Sequence, residues 1–340
     1  MNIAIPPLDK SGMQLAHNRQ AMLLKPQGAL GQLETLSIRL VGMTGRLDWL
    51  PQRRVVTLFA ADHGIMAHGI STMPQGITAY MVHKFMAGDA AINVLTRQLS
   101  ARLTVIDAGV NGDFALSSTD AVRFVRRKIA PGTADFSTGH AMTDRQAARA
   151  LQLGADVVAE EIRQGMDVLI PGEMGIGNTT SASAVIAAIT GADVETVTGR
   201  GTGVDDATFQ RKTALIASAL RLHAPAQVDT LAKVGGFEIG AMAGAMLYAA
   251  SQRIPVVLDG LICTAAALIA QQIDPDVTHY LIAGHRGAEP GHALALAHLE
   301  LAPLLALDLR LGEGTGAMLA LPLLEAAMRT LNEMGKLDVG

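Results

Sequence analysis

A single cysteine in 340 residues excludes a disulfide framework and any cysteine-built zinc cage, and fits a reducing cytoplasm. Aromatic residues make up 3% of the chain and charged residues 17%, the latter against a usual share of about 25%. With 27 basic residues against 31 acidic ones, the net charge of −4 offers no field for holding a nucleic-acid backbone or an anionic membrane surface. No apolar stretch approaches the ~20 residues that span a bilayer. The start, MNIAIPPLDK, has no basic region ahead of an apolar run, so a soluble, cytoplasmic protein is expected. Low-complexity tracts, internal repeats and Pro/Gly/Ser-rich linkers are also missing, which argues against two independent beads on a string.

What the chain has is apolar mass and glycine. At 49% hydrophobic it can bury a sizeable core, and glycine reaches 35 residues, above the usual share of about 7%. Cys263 lies in the apolar run from Leu261 to Ala270 and reads as a small core residue. Met174, Met242, Met246 and Met318 read as core filler.

Short apolar runs recur, each ending in a polar residue or glycine: Val55 to Asp62, Leu103 to Gly109, Asp167 to Glu173, Pro255 to Gly260, His279 to His285, and Leu304 to Gly312. They are expected to be buried parallel strands. Helical patterns lie between them, clearest over Asp144 to Gln164, Thr179 to Ile189, Phe209 to Leu222 and Gly236 to Gln252. Strand alternating with helix predicts an α/β fold with a mostly parallel, doubly wound sheet. The first fifty residues carry helix signals without a strand, and Ala317 to Met334 reads as a closing helix. A small helical subdomain of residues 1–50 with 317–340 is therefore expected beside a catalytic domain of 51–316. Ligands of such sheets sit beyond the carboxyl ends of the strands, so Asp62, His63, Asp107, Glu173, Asp259, His285 and Glu313 should converge on one rim.

Three glycine-dense turns are candidates for chemistry. In PGEMGIGNTT (171–180) a strand gives way to a helix, and Gly175, Ile176, Gly177, Asn178 and Thr179 offer bare backbone N–H groups to a phosphate. The turn is neither the GxxxxGK[ST] loop nor GxGxxG. GRGTGVDD (199–206), with Gly201, Thr202 and Gly203, precedes a helix that carries Lys212, a residue suited either to a phosphate or to the solvated surface. In RLGEGTGA (310–317) the flanking glycines leave Glu313 room to touch a flat ligand, and an apolar pocket would raise its proton affinity towards that of a general base. A capping role for Glu313 is the structural alternative. HRGAEPGH (285–292) matches no metal-ligand spacing, so its side chains are expected to order a loop. His63 and His68 likewise point to no metal.

These blocks, in this order, resemble the nicotinate-nucleotide:dimethylbenzimidazole phosphoribosyltransferase family. VGGFEIGAMAGAML (234–247), PVVLDG (255–260), AEPGH (288–292), ADHGI (61–65), MVHKFMAGDAAINVL (81–95) and AMT (141–143) extend the likeness over nearly the whole chain. The resemblance implies a Rossmann-like large domain, a helical domain from both chain ends and a homodimer. It also implies transfer of the phosphoribosyl group of nicotinate mononucleotide to 5,6-dimethylbenzimidazole, a step of cobalamin nucleotide-loop assembly. Glu313 would be the general base, Glu173 a second carboxylate near the sugar, and Lys212 a phosphate ligand. Thr72, Met73, Tyr80, Met174 and Leu311 would line the base pocket. No cofactor or metal is required, because the departing pyridinium becomes neutral as it leaves.

The chain departs from the family pattern in places. Ala61 opens a block that is commonly GDHG, Gly287 replaces a common serine, and Tyr80 and Met73 replace a usual glutamine and a usual aromatic. The last two predict a relaxed or shifted base preference, towards benzimidazole or adenine. An oxidoreductase on the same sheet class would bring GxGxxG after its first strand, which Val55 to Ile65 lacks. A catalytically silent binder would have lost Glu313 or Glu173, and both are present.

Overall fold

Apolar, β-branched runs become strands where helices can cover them on both sides, and in the computed structural model, which describes residues 3–224 and 229–337, six of them form one sheet. Helices α1 (Lys10–Met22) and α2 (Gln32–Thr44) precede β1 (Arg54–Ala61), and α3 (Ile77–Ala87) and α4 (Ala91–Gln98) lead to β2 (Arg102–Gly109). Then come β3 (Val122–Arg126), α5 (Asp144–Arg163), β4 (Val168–Met174), α6 (Asn178–Thr190), α7 (Val194–Val197), α8 (Asp206–His223), α9 (Thr230–Val234) and α10 (Phe237–Ser251). The chain continues through β5 (Val256–Leu258), α11 (Leu261–Ile273), β6 (Leu281–Ala283), β7 (His285–Arg286), α12 (Pro290–His298), β8 (Leu305–Ala306) and α13 (Thr315–Glu333).

The order β3-β2-β1-β4-β5-β6, parallel throughout, is that of a doubly wound dinucleotide-type sheet. The strand order reverses between β1 and β4, where such sheets open a crevice at the carboxyl ends. Val55 to Ala61 is fully buried along its length, as a strand covered on both faces requires.

Local signals fix the flanking helices. Thr143 accepts from Gln146 N at 3.2 Å while Gln146 Oε1 accepts from Thr143 N at 2.9 Å, a reciprocal cap that starts α5. Asp205 caps α8 through Thr208 N at 2.8 Å. Part of the glycine surplus serves helix crossing: a Cβ on Gly154 of α5 would come within 1.8 Å of Ala241 O, and one on Gly244 of α10 within 1.8 Å of Leu151 O. Only glycine lets these two backbones meet.

The chain ends pack together. Arg19 donates to Leu331 O and Asn332 O, each at 2.6 Å, and Leu23 bridges to Lys336. α2 packs on both α1 and α13. The first turns of α13 reach β4 and β5, so this helix links the terminal helices to the sheet. Cys263, Met242, Met246 and Met318 are buried. No helix among the described residues is long and apolar enough to cross a membrane.

Some expected strands differ. Leu304 to Gly312 supplies only β8, which pairs with β7 in a separate two-stranded sheet. The rest of the segment runs irregularly, with Leu309 O accepting from Ala288 N at 2.9 Å. His279 to His285 divides into the end of a 3₁₀ turn, β6 and β7. β3 has no counterpart among the expected strands, because its sequence VRFVR at the sheet edge interrupts the apolar residues with two arginines. Arg123 on it pairs with Glu160 and Glu161 of α5. Of the residues expected at the base pocket, Thr72 and Met73 precede α3, which begins at Ile77, and Tyr80 lies within it.

Candidate active site

Beyond the carboxyl ends of β1 and β4 lies a cavity of about 340 Å³, within the usual range for small-molecule sites. Its wall comes from the three glycine-dense turns, from loop residues Ile70, Ser71 and Met73, and from the HRGAEPGH segment.

Glu173 stands near the end of β4, 6% exposed, and its Oε2 accepts from Asn178 Nδ2. Burial, then the negative charges of Asp259 and Glu238, push its pKa up to about 8 against the opposing Asn178 bond. Glu313 is 5% exposed and its Oε2 accepts from Ile92 N, at the start of α4, at 3.3 Å. Burial first, and the Asp259 charge with it, push its pKa up to about 7 although the Ile92 bond works the other way. Both carboxyls are thus shifted towards neutrality, the range in which proton transfer at pH 7 is most effective.

The backbone around Glu313 is unusual. Gly312, Glu313 and Gly314 have φ of 87°, 64° and 86° in succession. For glutamate this left-handed conformation costs on the order of 1–3 kcal/mol and persists only where its surroundings over-determine it. Gly172 on β4 makes room, since a Cβ there would come within 2.6 Å of Glu313 O.

The phosphate-type features face the same cavity. Gly177, with φ of 99°, immediately precedes α6 and gives it no side-chain cap, so the first N–H groups of the helix are free of side-chain acceptors. Gly175, Ile176, Gly177, Asn178 and Thr179 all line the cavity, with Gly201 and Thr202 beside them. Lys212 is only 1% exposed, which settles its placement away from the solvated surface. Its Nζ donates to Thr179 Oγ1 at 2.9 Å and Gly199 O at 3.1 Å. Burial pulls its pKa down to about 8, with Glu289 opposing.

Among the residues expected at the base pocket, Met73, Met174 and Leu311 line the cavity. Thr72 and Tyr80 lie outside its lining, as does Gly203, a residue expected at the phosphate. Thr72 is held instead by Thr202, its Oγ1 donating to Thr202 Oγ1 at 2.9 Å. Tyr80 is 54% exposed with the Lys84 ammonium 5.7 Å from its ring, and Gly203 forms the bend ahead of α8.

The expected rim is only partly a rim. Glu173, His285 and Glu313 line the cavity, whereas Asp62, His63, Asp107 and Asp259 are buried behind it. They bond to nearby backbone N–H groups or to side chains of neighbouring helices. Asp62 accepts from Asn111 N at 2.7 Å, and Asp107 from Val110 N at 2.9 Å. His63 lies between Ser181 Oγ at 3.1 Å and Glu238 Oε1 at 2.7 Å. Burial alone would lower its pKa, but the charge and hydrogen bond of Glu238 outweigh it and raise the value.

HRGAEPGH does more than order a loop: His285, Gly287, Glu289 and His292 all line the cavity. Glu289 Oε1 accepts from Gly201 N at 3.1 Å, tying this segment to the GRGTG turn. His292 Nδ1 accepts from Gly287 N at 2.9 Å, which places the ring proton on Nε2. Burial lowers the His292 pKa to about 4. The signal for these residues was the density of Gly and Pro around charged side chains, the same signal that marked the other turns. Among the described residues no group of three or more His, Cys, Asp or Glu could hold a metal.

Comparison with known proteins gives this arrangement its class. A phosphoribosyltransferase family model matches residues 5–339. The nicotinate-nucleotide–dimethylbenzimidazole phosphoribosyltransferase of Chloroflexus aggregans is 51% identical, covering 97% of this chain and 93% of its own. That of Desulforudis audaxviator is 48% identical over the same shares. The crystal structure of CobT from Thermus thermophilus superimposes with a TM-score of 0.91 at 43% identity, covering 96% of this chain and 97% of that one. The chain belongs to the nicotinate-nucleotide–dimethylbenzimidazole phosphoribosyltransferase family.

Proposed function

We propose that the protein transfers the phosphoribosyl group of nicotinate mononucleotide to 5,6-dimethylbenzimidazole, releasing nicotinate and forming α-ribazole 5′-phosphate with inversion at C1′. The observation that carries this reading is the meeting of two buried glutamates of raised proton affinity with an uncapped helix N-terminus and Lys212 around one cavity. The phosphate is bound by the N–H groups of Gly175, Gly177 and Thr179 at the start of α6, by Gly201 and Thr202, and by the Lys212 ammonium, while Ile176 N and Asn178 N are held by Thr78 Oγ1 and Gly175 O. Met73, Met174 and Leu311 form apolar wall for the flat base.

Nicotinate leaves as a ring that turns neutral, so the leaving group needs no proton. One nitrogen of the incoming base attacks C1′ from the opposite face while Glu313 takes the proton of the other. Glu173 supplies negative charge to the cationic sugar as the old bond lengthens. The pyridinium of the bound nucleotide favours its ionised form and so draws its proton affinity down from the raised value of the free protein.

We further infer that residues 1–50 with 317–340 act as a helical subdomain, that the protein works as a homodimer, and that it acts in the cytoplasm. Supporting the first is the joining of the chain ends through Arg19 and Lys336. Incubating the pure protein with nicotinate mononucleotide and a mixture of dimethylbenzimidazole, benzimidazole and adenine tests the reaction. Nucleotides of α configuration carrying a benzimidazole are expected; hydrolysis alone, or β products, would defeat the reading.

A further inference from the structure

Asp259 follows β5 directly, is 2% exposed, and lies outside the cavity lining. Its carboxylate nevertheless reaches the turn that bears Glu313. Oδ2 accepts from Gly314 N at 3.0 Å, and Oδ1 accepts from Gly316 N at 2.7 Å and Ala317 N at 3.2 Å. The donors are Gly314, which immediately precedes α13, and two residues of its first turn, and this N-terminus has no cap from its own neighbouring side chains. A negative charge there satisfies otherwise unpaired N–H groups and complements the helix dipole.

We propose that Asp259 is a positioning residue for the transfer, gripping the start of α13 so that Glu313 is held in its left-handed backbone conformation at the cavity wall. The inference rests on Glu313 acting as the base. It explains what over-determines the strained glutamate: Gly314, next in the chain, is anchored from β5, while the glutamate's own carboxylate is anchored at Ile92 N.

The same placement acts through charge. Asp259 raises the proton affinity of Glu313 and of Glu173. The other groups around this cluster are His285, whose Nε2 lies 3.2 Å from Asp259 Oδ1, His292 behind it, Cys263 on α11, and Glu238, which acts on Glu173.

Asp259→Asn tests the proposal by steady-state kinetics across pH with nicotinate mononucleotide and dimethylbenzimidazole. The amide keeps one acceptor and loses the charge. We expect kcat to fall on the order of 10- to 100-fold, the scale of a misplaced catalytic group, with the KM for the nucleotide little changed. The acid limb of kcat/KM should move to lower pH, since removing a neighbouring negative charge lowers the proton affinity of Glu313. Asp259→Glu keeps the charge but lengthens the arm, so it should leave the limb in place and still lower kcat. Wild-type kcat in either variant, or a fall in kcat for Asp259→Asn with an unmoved limb, would overturn the proposal. If the unaltered protein itself formed no α-ribazole phosphate, the proposed function would fail instead.

Discussion

Gly312 and Glu173 meet so closely that a Cβ on the glycine would come within 2.2 Å of Glu173 Oε1. The turn bearing one glutamate is therefore shaped around the carboxylate of the other. Gly312→Ala would also force a side chain into a backbone with φ of 87°. The expected result is destabilisation of about 1 kcal/mol or more, read by thermal unfolding. Because Glu173 must shift to admit the methyl group, kcat should fall by about 10²-fold.

Lys212→Ala removes the one buried ammonium of the proposed phosphate cradle. Hydrogen bonds to charged groups contribute about 1.5–3 kcal/mol, so the KM for nicotinate mononucleotide should rise about 10- to 100-fold, with a smaller effect on the KM for the base. The unaltered protein should bind the nucleotide less well as pH rises through about 8, where the free lysine loses its proton. The variant should show no such dependence over that interval. Equal KM values in both proteins would separate Lys212 from the phosphate.

Glu173 places a cost on the empty protein. Its folded-state pKa of about 8 lies above the ordinary glutamate value of 4.5, so between those values the native state binds a proton that the unfolded state does not. The resulting contribution is fully present below about 4.5, declines as pH rises, and is lost above about 8. Glu173→Gln, which carries no charge to bury, should therefore raise Tm at pH 8 by roughly 2 °C or more while lowering turnover. A lower Tm for that variant at pH 8 would show that the ionised carboxylate stabilises the fold.

The relaxed base preference expected from the sequence rests on Met73 and Tyr80. Met73 lines the cavity and Tyr80 does not. Competition among dimethylbenzimidazole, benzimidazole and adenine should thus show relaxed preference in the unaltered protein. Restoring an aromatic with Met73→Phe should narrow it, while Tyr80→Gln should leave it unchanged. Strict preference for dimethylbenzimidazole in the unaltered protein would defeat this expectation.

Much of the fold could be read from the chain because buried parallel strands are written as continuous apolar runs. β1, β2 and β4 fall within about a residue of the expected limits. β3 escaped because an edge strand carrying two arginines, one of them paired to α5, lacks that pattern. Leu304 to Gly312 misled for the opposite reason: it is apolar but forms only the two-residue β8, and its Leu309 and Leu311 serve as cavity wall. The glycine turns and both glutamates were legible, since backbone exposed to a ligand leaves a compositional mark. The burial of Lys212, the cavity-facing role of Glu289 and His292, and the inward turn of Asp259 were not. Each depends on which partner a long-range contact supplies, and nothing local to those residues encodes it.

The proposed proton transfer rests on Glu313. Glu313→Gln keeps the size of the side chain and removes its ability to take a proton. Turnover of nicotinate mononucleotide with dimethylbenzimidazole should fall by about 10²- to 10⁴-fold, with nucleotide affinity, measured by calorimetry on the same protein, near that of the unaltered chain. Formation of α-ribazole 5′-phosphate at close to the original rate by that variant would contradict it.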